Sequence, residues 1–174
     1  MTERVDFYVL TGSTVRQRWV VGCRLAEKAY LRDLSVVVLS DTVEATAVDE
    51  LLWTFNERSF VPHDLLRGHA LPGTAASAAV APGLKSPTPV APSPVAPTPE
   101  APVRVTPDLD WVPGADLLVN LTDRMPEGLE RFARIAEIID ADDTRRRLGR
   151  ERFRAYRELR LPVETHNLDE AAGD

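Results

Sequence analysis

The first third of the chain alternates between continuous apolar runs and amphipathic helical patterns. Val5–Leu10 and Leu34–Leu39 are short apolar runs, and the second is rich in β-branched residues, as strands buried on both faces of a parallel sheet are. Val15–Tyr30 has apolar residues at helical spacing, and a second helical pattern begins after Asp41 or Thr42, either of which can cap it. Strand, helix, strand and helix in this order predict right-handed βαβ units.

The middle of the chain has a different composition. Ten of the fourteen prolines lie between Pro72 and Pro107, interleaved with alanine, valine, threonine and serine. Such a tract cannot form a helix or a strand ladder, and it has too few bulky side chains to make a core. We predict that residues 69–101 are a disordered or polyproline-like surface insertion, either a passive spacer, which is favoured, or a ligand of an aromatic groove.

Ordered structure is predicted again after this tract. The strand patterns are Val103–Val105, Asp116–Leu121 and Arg134–Ile139, with a short helical turn over Leu129–Phe132. Together with the first third they predict an α/β protein, a three-layer α/β/α sandwich around a mostly parallel sheet of about five strands. The predicted divisions are 1–68 and 102–162 for the two halves of this domain, and 163–174 for an extended and then frayed C-terminal tail.

An arginine-rich helical segment, Arg145–Arg160, closes the predicted domain. At about 100° per residue, one arc of this helix is apolar and would face a core. Its members are Leu148, Ala155, Tyr156 and Leu159. A second, roughly opposite arc consists of Arg146, Arg150, Arg157 and Arg160, with Phe153 in its middle. This arrangement fits a receptor for an anion with an apolar end, and it equally fits a solvated basic helix whose phenylalanine tucks under a loop.

Composition narrows the possible functions. The net charge of −6 argues against non-specific nucleic-acid binding by the whole molecule, so an anion would have to meet a local patch. Cys23 is the single cysteine, which excludes an internal disulfide, and its place in a helical pattern predicts a buried, inert thiol. We expect a soluble cytoplasmic protein, because the N-terminus lacks an apolar signal run and no apolar stretch is long enough to span a bilayer.

Catalytic signatures are missing from the sequence. Thr11–Thr14, after the first strand, has one glycine and lacks the spacing of nucleotide-binding loops. His63, His69 and His166 have no partners at metal-binding spacing. The acidic cluster Asp140–Asp143 could hold a divalent ion, but capping of the arginine-rich helix is favoured. We therefore predict no active site, no metal and no cofactor.

Bulky residues gather at the end of the second predicted helix. They are Trp53, Phe55 and the segment Phe60–His63. Aromatic anchors beside a proline-stiffened loop are common at protein–protein interfaces, although ordinary core packing explains them almost as well.

Five segments, in this order, resemble the chi subunit family (HolC) of bacterial DNA polymerase III. They are Val5–Leu10, Cys23–Tyr30, Leu51–Phe55, Ser59–His63 and Arg150–Arg157. The resemblance covers nearly the whole chain except the proline tract and the last few residues. It implies a Rossmann-like sandwich and a non-catalytic accessory subunit of the clamp loader. In that family chi pairs with the psi subunit and grips the acidic C-terminal tail of single-stranded DNA-binding protein, which ends in Pro-Phe and a free carboxylate.

The resemblance also implies two sets of site residues. The tail-binding positions are Arg146, Arg150, Phe153, Arg154 and Arg157, with Phe153 and Arg154 where many members have Tyr and Lys. The psi-facing positions are Trp53, Phe60, Pro62 and His63, a surface that some members also use for an XPD-like repair helicase. DNA would be contacted mainly through the tail.

Two other interpretations stay open on the sequence alone. The arginine arc and Phe153 could bind single-stranded nucleic acid directly, by phosphate contacts and base stacking. The α/β pattern could also belong to a small nucleotide-dependent enzyme. The sequence leaves open whether a psi partner exists and what the proline tract does.

Overall fold

Parallel strands joined by helices and loops form a single sheet in the computed structural model, which describes residues 1–58, 60–66, 101–110 and 112–168. The strands are β1 (Arg4–Leu10), β2 (Val36–Leu39), β3 (His63–Leu65), β4 (Val103–Thr106), β5 (Ala115–Asn120), β6 (Phe132–Ile139) and β7 (Val163–Leu168). The helices are α1 (Val15–Tyr30), α2 (Thr42–Thr54) and α3 (Asp143–Glu158), with a 3₁₀ turn at Leu129–Arg131. The strand order is β3-β4-β2-β5-β6-β1-β7, and every neighbouring pair is parallel.

The direction in which each helical connection crosses the sheet explains on which face its helix lies. From β1 to β2 and from β2 to β3 the chain moves toward one edge of the sheet, and α1 and α2 lie on one face. From β6 to β7 it moves toward the opposite edge, and α3 lies on the other face. Because parallel crossovers are right-handed, reversing the direction places the connection on the opposite face. The three-layer α/β/α sandwich is therefore confirmed.

Strand β2, an inner strand of the sheet, contributes residues to the hydrophobic cores on both faces. All four of its residues are buried; Val36 and Val38 pack with the α1 and α2 layer, whereas Val37 and Leu39 pack with the α3 layer. This explains why the segment is continuously apolar instead of alternating. The prediction of a strand buried on both faces is confirmed here.

Other predicted elements agree with the structure. Helix α1 has the predicted bounds, and Asp41, one of the two candidate caps, is the N-cap of α2. Residues 69–100 lie outside the described residues, so the proposed insertion and the domain boundaries stay predictions.

The predicted strand number is too low, since the sheet has seven strands where about five were expected. The strands missing from the prediction are β3 and β7, one at each edge of the sheet. Strand β3 is three residues long, and β7 carries polar residues on both faces, including Glu164, Thr165 and Asn167. Edge strands face solvent and so lack an apolar signal. The residues assigned to a tail from 163 onward instead include a strand that pairs with β1 as far as Leu168.

Candidate functional site

Helix α3 begins at an acidic N-terminus. The Asp142 carboxylate accepts a hydrogen bond from the Arg145 backbone N–H at 3.0 Å, and Asp143 lies in the first turn. The buried Asp140 carboxylate accepts a hydrogen bond from the Arg145 guanidinium at 2.9 Å. Carboxylates at this end of a helix complement the positive end of its dipole. The helix-capping interpretation of the acidic cluster is confirmed for Asp142.

A buried polar network holds α3 against the sheet. Glu137 on β6 is fully buried, and it accepts hydrogen bonds from Arg152 at 3.0 Å, from Tyr156 at 2.7 Å and from Asn120 at 3.0 Å. Arg152 also donates to the Asp123 carbonyl at 2.7 Å. Burial raises the pKa of Glu137, while the Arg152 charge and the hydrogen bonds from Tyr156 and Asn120 oppose that shift. The network sets the rotation of α3 about its axis.

The predicted core-facing arc of α3 is right for Tyr156, which is buried, and wrong for Leu159, while Leu148 and Ala155 are half-buried. The buried residues of the helix are Gly149, Arg152 and Tyr156, and Leu159 is 57% exposed. Arg152 faces inward because Glu137 pairs with it, which a hydrophobic pattern does not reveal. Gly149 allows close approach, since a Cβ atom there would lie 2.8 Å from Ile139 Cδ1.

Phe153 consequently lies at the margin of the core instead of the middle of an exposed arc. It is half-buried, and its ring meets the ring of Phe7 on β1 edge-on, with centroids 5.3 Å apart. It packs on a strand, not under a loop as the alternative interpretation required. Phe153 and Phe7 line a depression of about 260 Å³ that Thr165 of β7 also borders. Its remaining lining residues are Val9, Ile139, Arg146, Gly149 and Arg150.

A second depression adjoins the first and shares Arg150 and Phe153 with it. It is lined by Arg150, Phe153, Arg154, Arg157 and Glu158. The structure thus brings all five predicted tail-binding residues onto one continuous surface. We call this surface, formed by Arg146, Arg150, Phe153, Arg154 and Arg157, the arginine patch.

The guanidinium groups of the arginine patch lack carboxylate partners among the described residues. Arg150, Arg154 and Arg157 are exposed, whereas Arg146 is half-buried. The buried Nε atom of Arg146 makes no hydrogen bond within the described part of the chain. Within the described ranges, Glu158 is the one acidic residue that lines these depressions, and the resulting excess of positive charge around an aromatic side chain suits an anionic ligand that has an apolar group.

The four predicted psi-facing residues also lie together, and we call them the aromatic patch: Trp53, Phe60, Pro62 and His63. Trp53 is 49% exposed and Phe60 is 67% exposed, with ring centroids 5.2 Å apart. The His63 ring lies 4.4 Å from the Trp53 ring and is buried. The exposure of Trp53 and Phe60 contradicts core packing for these two, whereas Phe55 does pack against the core.

His63 supports the aromatic patch from beneath. Its Nδ1 lies 2.7 Å from the Val61 carbonyl oxygen, and its Nε2 lies 3.1 Å from the Asp49 carbonyl oxygen and 3.3 Å from the Asp49 carboxylate. The ring thereby ties the start of β3 to α2. This contact keeps the Trp53 ring in place at the edge of the sheet.

The carboxyl ends of β1 and β6 are the usual ligand-binding position in such sheets, because their connections leave in opposite directions. Here the Ala141 N–H donates a hydrogen bond to the Gly12 carbonyl at 2.9 Å, which joins the two loops. A Cβ atom at Gly12 would collide with the Gln17 side chain, so this glycine accommodates a neighbouring side chain. Nothing in this contact forms a phosphate cradle.

The sequence spacing around His166 shows no metal-ligand partner, but the fold supplies neighbours that sequence spacing does not reveal. Strand pairing brings it together with Asp6 and Glu164, and candidate ligand atoms of the three lie within 4.8 Å of one another. Two arginines already bind Asp6, Arg134 at 2.8 Å and Arg4 at 3.1 Å. The guanidinium groups of Arg134 and Arg4 therefore supply the positive charge that faces Asp6 in this cluster. His69 lies outside the described residues.

Comparison with known proteins identifies the family. The model of the family described as DNA polymerase III chi subunit, HolC, matches residues 1–82 and 87–164. A DNA polymerase III subunit chi from Pseudomonas aeruginosa is 33% identical over 166 residues, which cover 95% of this chain and 96% of that protein. The chain belongs to the family of DNA polymerase III chi subunits. A subunit chi from Haemophilus influenzae is 25% identical over 175 residues, which cover 97% of this chain and 99% of that protein.

The predicted resemblance is thus confirmed, and the chain is a subunit of a replicative DNA polymerase complex. A more distant likeness concerns the fold alone. A solved complex of S. cerevisiae Dbp5 bound to Nup159, Gle1, IP6 and ADP contains a chain that matches with a TM-score of 0.55 at 9% identity. The match spans 96% of this chain but 42% of that one. Within the described residues no helix has both the length and the apolar character to cross a membrane.

Sequence reasoning missed the far wall of the depression beside Phe153. Phe7 and Val9 come from β1, Ile139 from β6 and Thr165 from β7. Alternation along β1 places Phe7 and Val9 on one face, which is a usable signal. Only the strand order shows that this face lies under α3.

Proposed function

We propose that the chain is a non-catalytic accessory subunit that links the clamp loader, through psi, to the acidic C-terminal tail of single-stranded DNA-binding protein. One observation carries the proposal: guanidinium groups that have no carboxylate partner among the described residues border the depression lined by Phe7 and Phe153. As a replication subunit it would act at the replisome in the bacterial cytoplasm.

The arginine patch suits such a tail in both charge and shape. The terminal phenylalanine of the tail would enter the depression beside Phe153, where it can make edge contacts with aromatic rings. The terminal carboxylate and the acidic side chains would pair with Arg146, Arg150 and Arg157. Each charge-assisted hydrogen bond contributes on the order of 1.5–3 kcal/mol before ordering costs, so a short flexible tail would bind at roughly micromolar affinity.

The aromatic patch is proposed to bind psi. Exposed Trp and Phe side chains in contact with each other are typical of interface hot spots, and Pro62 limits the motion of the loop that carries Phe60. An XPD-like repair helicase is a further partner proposed for the same surface.

The positions of the two patches agree with a linking role. The aromatic patch lies at the β3 edge, on the α1 and α2 face, while α3 lies on the other face over β6 and β7. Partners at the two patches would approach from different sides and need not compete. DNA would then be reached mainly through the bound tail.

A titration with a tail peptide tests the proposal. Arg150→Ala is expected to weaken binding of a peptide of acidic residues ending in Pro-Phe by more than tenfold, because Arg150 borders both depressions. Arg147→Ala is the matched control, since Arg147 is exposed nearby on α3 and pairs with Glu151 outside both depressions.

Unchanged peptide affinity in the Arg150 variant would exclude the tail-binding role. A bare single-stranded oligonucleotide is titrated in parallel. If it bound the wild-type chain more tightly than the peptide, direct nucleic-acid binding would replace tail binding as the function of the patch.

A further inference from the structure

A groove on the α1 face of the sheet has no place in the proposed function. It runs between α1 and the strands β1 and β7 and has a volume of about 480 Å³. Its floor consists of Tyr8, Leu10 and Leu168, and the His166 ring stacks on Tyr8 at 5.0 Å. We call it the α1 groove. It lies on the opposite face of the sheet from the arginine patch.

The arrangement of helices explains why the groove is open. Helix α1 lies over β2, β5 and β6, and α2 lies over β3 and β4. On this face, no helix among the described residues covers β1 and β7, whereas α3 packs on β6 and β7 from the other face. A parallel sheet normally has helices on both faces. The groove therefore lies where a helix of that layer would pack and where the described residues supply none.

The side of α1 that borders the groove has the residue spacing of a helix–helix contact. Successive members are separated alternately by three residues and by one, so that every second member is four residues further on: Gln17, Val20, Val21, Arg24, Leu25 and Lys28. The residues that α1 buries against the sheet form a different stripe, which includes Gly22, Cys23 and Ala26. Residues three and four apart share one face of a helix, so this second stripe is continuous over about three turns.

Charge selects the kind of partner. Arg16, Arg24 and Lys28 are exposed along the rim of the groove, in a chain whose net charge is −6. The rim is thus locally positive in a chain of negative net charge, and it would attract an acidic segment. The proline tract, residues 69–101, fits poorly, because its prolines prevent a helix and its only Asp, Glu, Lys or Arg residues are Lys85 and Glu100.

We propose that the α1 groove binds an amphipathic helix of a partner protein, whose apolar face packs on Val20, Val21 and Leu25 and whose acidic flank faces Arg16, Arg24 and Lys28. The helix would complete the outer layer over β1 and β7. This surface is separate from the arginine patch and from the aromatic patch, so three partners could be bound at once.

The test uses the full chain and a synthetic helical peptide as long as α1, with leucines at intervals of three and four and glutamates on both flanks. A second peptide has lysine at every glutamate position. We expect the acidic peptide to bind saturably in fluorescence anisotropy, and to shift the NMR amide signals of Val20, Val21 and Leu25. The lysine peptide should bind at least tenfold more weakly.

Variants assign the binding to the groove. Reversing the rim with Arg16→Glu, Arg24→Glu and Lys28→Glu should weaken the acidic peptide by about tenfold or more, because three attractions become repulsions. The matched control reverses Arg58, Arg124 and Arg147, which are exposed elsewhere. Val21→Ala, which keeps the helix, should weaken binding several-fold through lost apolar contact, and the melting temperature of each variant checks its fold.

Three results would overturn the proposal. The first is the absence of saturable binding, or binding that the rim reversal leaves unchanged. The second is equal affinity for the lysine peptide. The third is tighter peptide binding after removal of residues 169–174, which contain Asp169, Glu170 and Asp174 and follow Leu168 in sequence. That gain would assign the groove to the chain's own acidic segment instead of a partner.

Discussion

The arginine patch and the aromatic patch both centre on an aromatic side chain, but its surroundings differ. Phe153 is half-buried against Phe7 and is bordered by guanidinium groups without carboxylate partners among the described residues. Trp53 and Phe60 are exposed, contact each other and rest on the buried His63, which is anchored to Asp49. The first surface attracts ligands by charge, and the second offers apolar area. Binding at the two should therefore respond differently to the same perturbation.

The largest effect on stability is expected from the buried Glu137–Arg152 pair, which holds α3 and with it the arginine patch against the sheet. Glu137→Ala leaves the buried Arg152 charge unpaired, which typically costs about 3–5 kcal/mol of unfolding free energy. Urea unfolding measures this loss. Removing both charges with Glu137→Leu and Arg152→Met is the control, and it should recover part of the stability. A single variant as stable as the wild type would show that the network does not hold α3.

The second prediction concerns the aromatic patch. Trp53→Ala should weaken psi binding by about 2 kcal/mol or more, the loss expected for an interface hot spot, with little change in stability. Calorimetric titration with purified psi measures it, and Arg150→Ala serves as the control that leaves psi binding unchanged. Equal effects of the two variants on psi would remove the distinction between the patches.

Salt concentration should affect binding at the two patches differently. Raising the salt concentration from about 0.1 M to about 1 M shortens the Debye length from about 10 Å to about 3 Å. Tail-peptide affinity should then fall on the order of tenfold, whereas psi affinity should change little, because apolar burial is not screened. Parallel titrations at both salt concentrations test this, and a tail affinity insensitive to salt would contradict a charge-based patch.

The smallest effect concerns Asp6 on β1, the strand that pairs with β7 and lines the depression beside Phe153. Burial alone would raise the pKa of Asp6, but hydrogen bonds from Arg134 and His166 outweigh it and hold the pKa below the ordinary value of 3.8. Since the folded-state pKa is the lower one, the carboxylate stabilises the fold above pH 3.8, and this contribution is lost as the pH falls through the folded-state value.

Asp6→Asn should consequently lower stability at pH 7 on the order of 1 kcal/mol, the net value of a hydrogen bond, and flatten the acid limb of the stability curve. Unfolding free energies between pH 7 and pH 2 measure both effects. An unaltered acid limb would show that Asp6 does not carry the pH dependence.

Local signals account for the elements that were predicted correctly. The bounds of α1 followed from helical spacing after Thr14, and β2 followed from an uninterrupted β-branched run. The two edge strands were missed because they lack such a local signal. Strand β7, for example, places Glu164, Thr165 and Asn167 toward solvent and has no apolar run to detect. Hydrophobic patterning reports burial, and edge strands are only partly buried.

The sequence by itself determined the α/β class, the central strands, the family and the residues of both patches, because each depends on neighbouring residues or on motifs. Only the tertiary structure decided how α3 is rotated, which strand residues face Phe153 and where no helix of the described residues covers the sheet. Those features depend on partners far apart in the chain, such as Glu137 with Arg152 and Phe7 with Phe153. A buried ion pair places an arginine inside and a leucine outside, and no periodicity of apolar residues predicts that exchange.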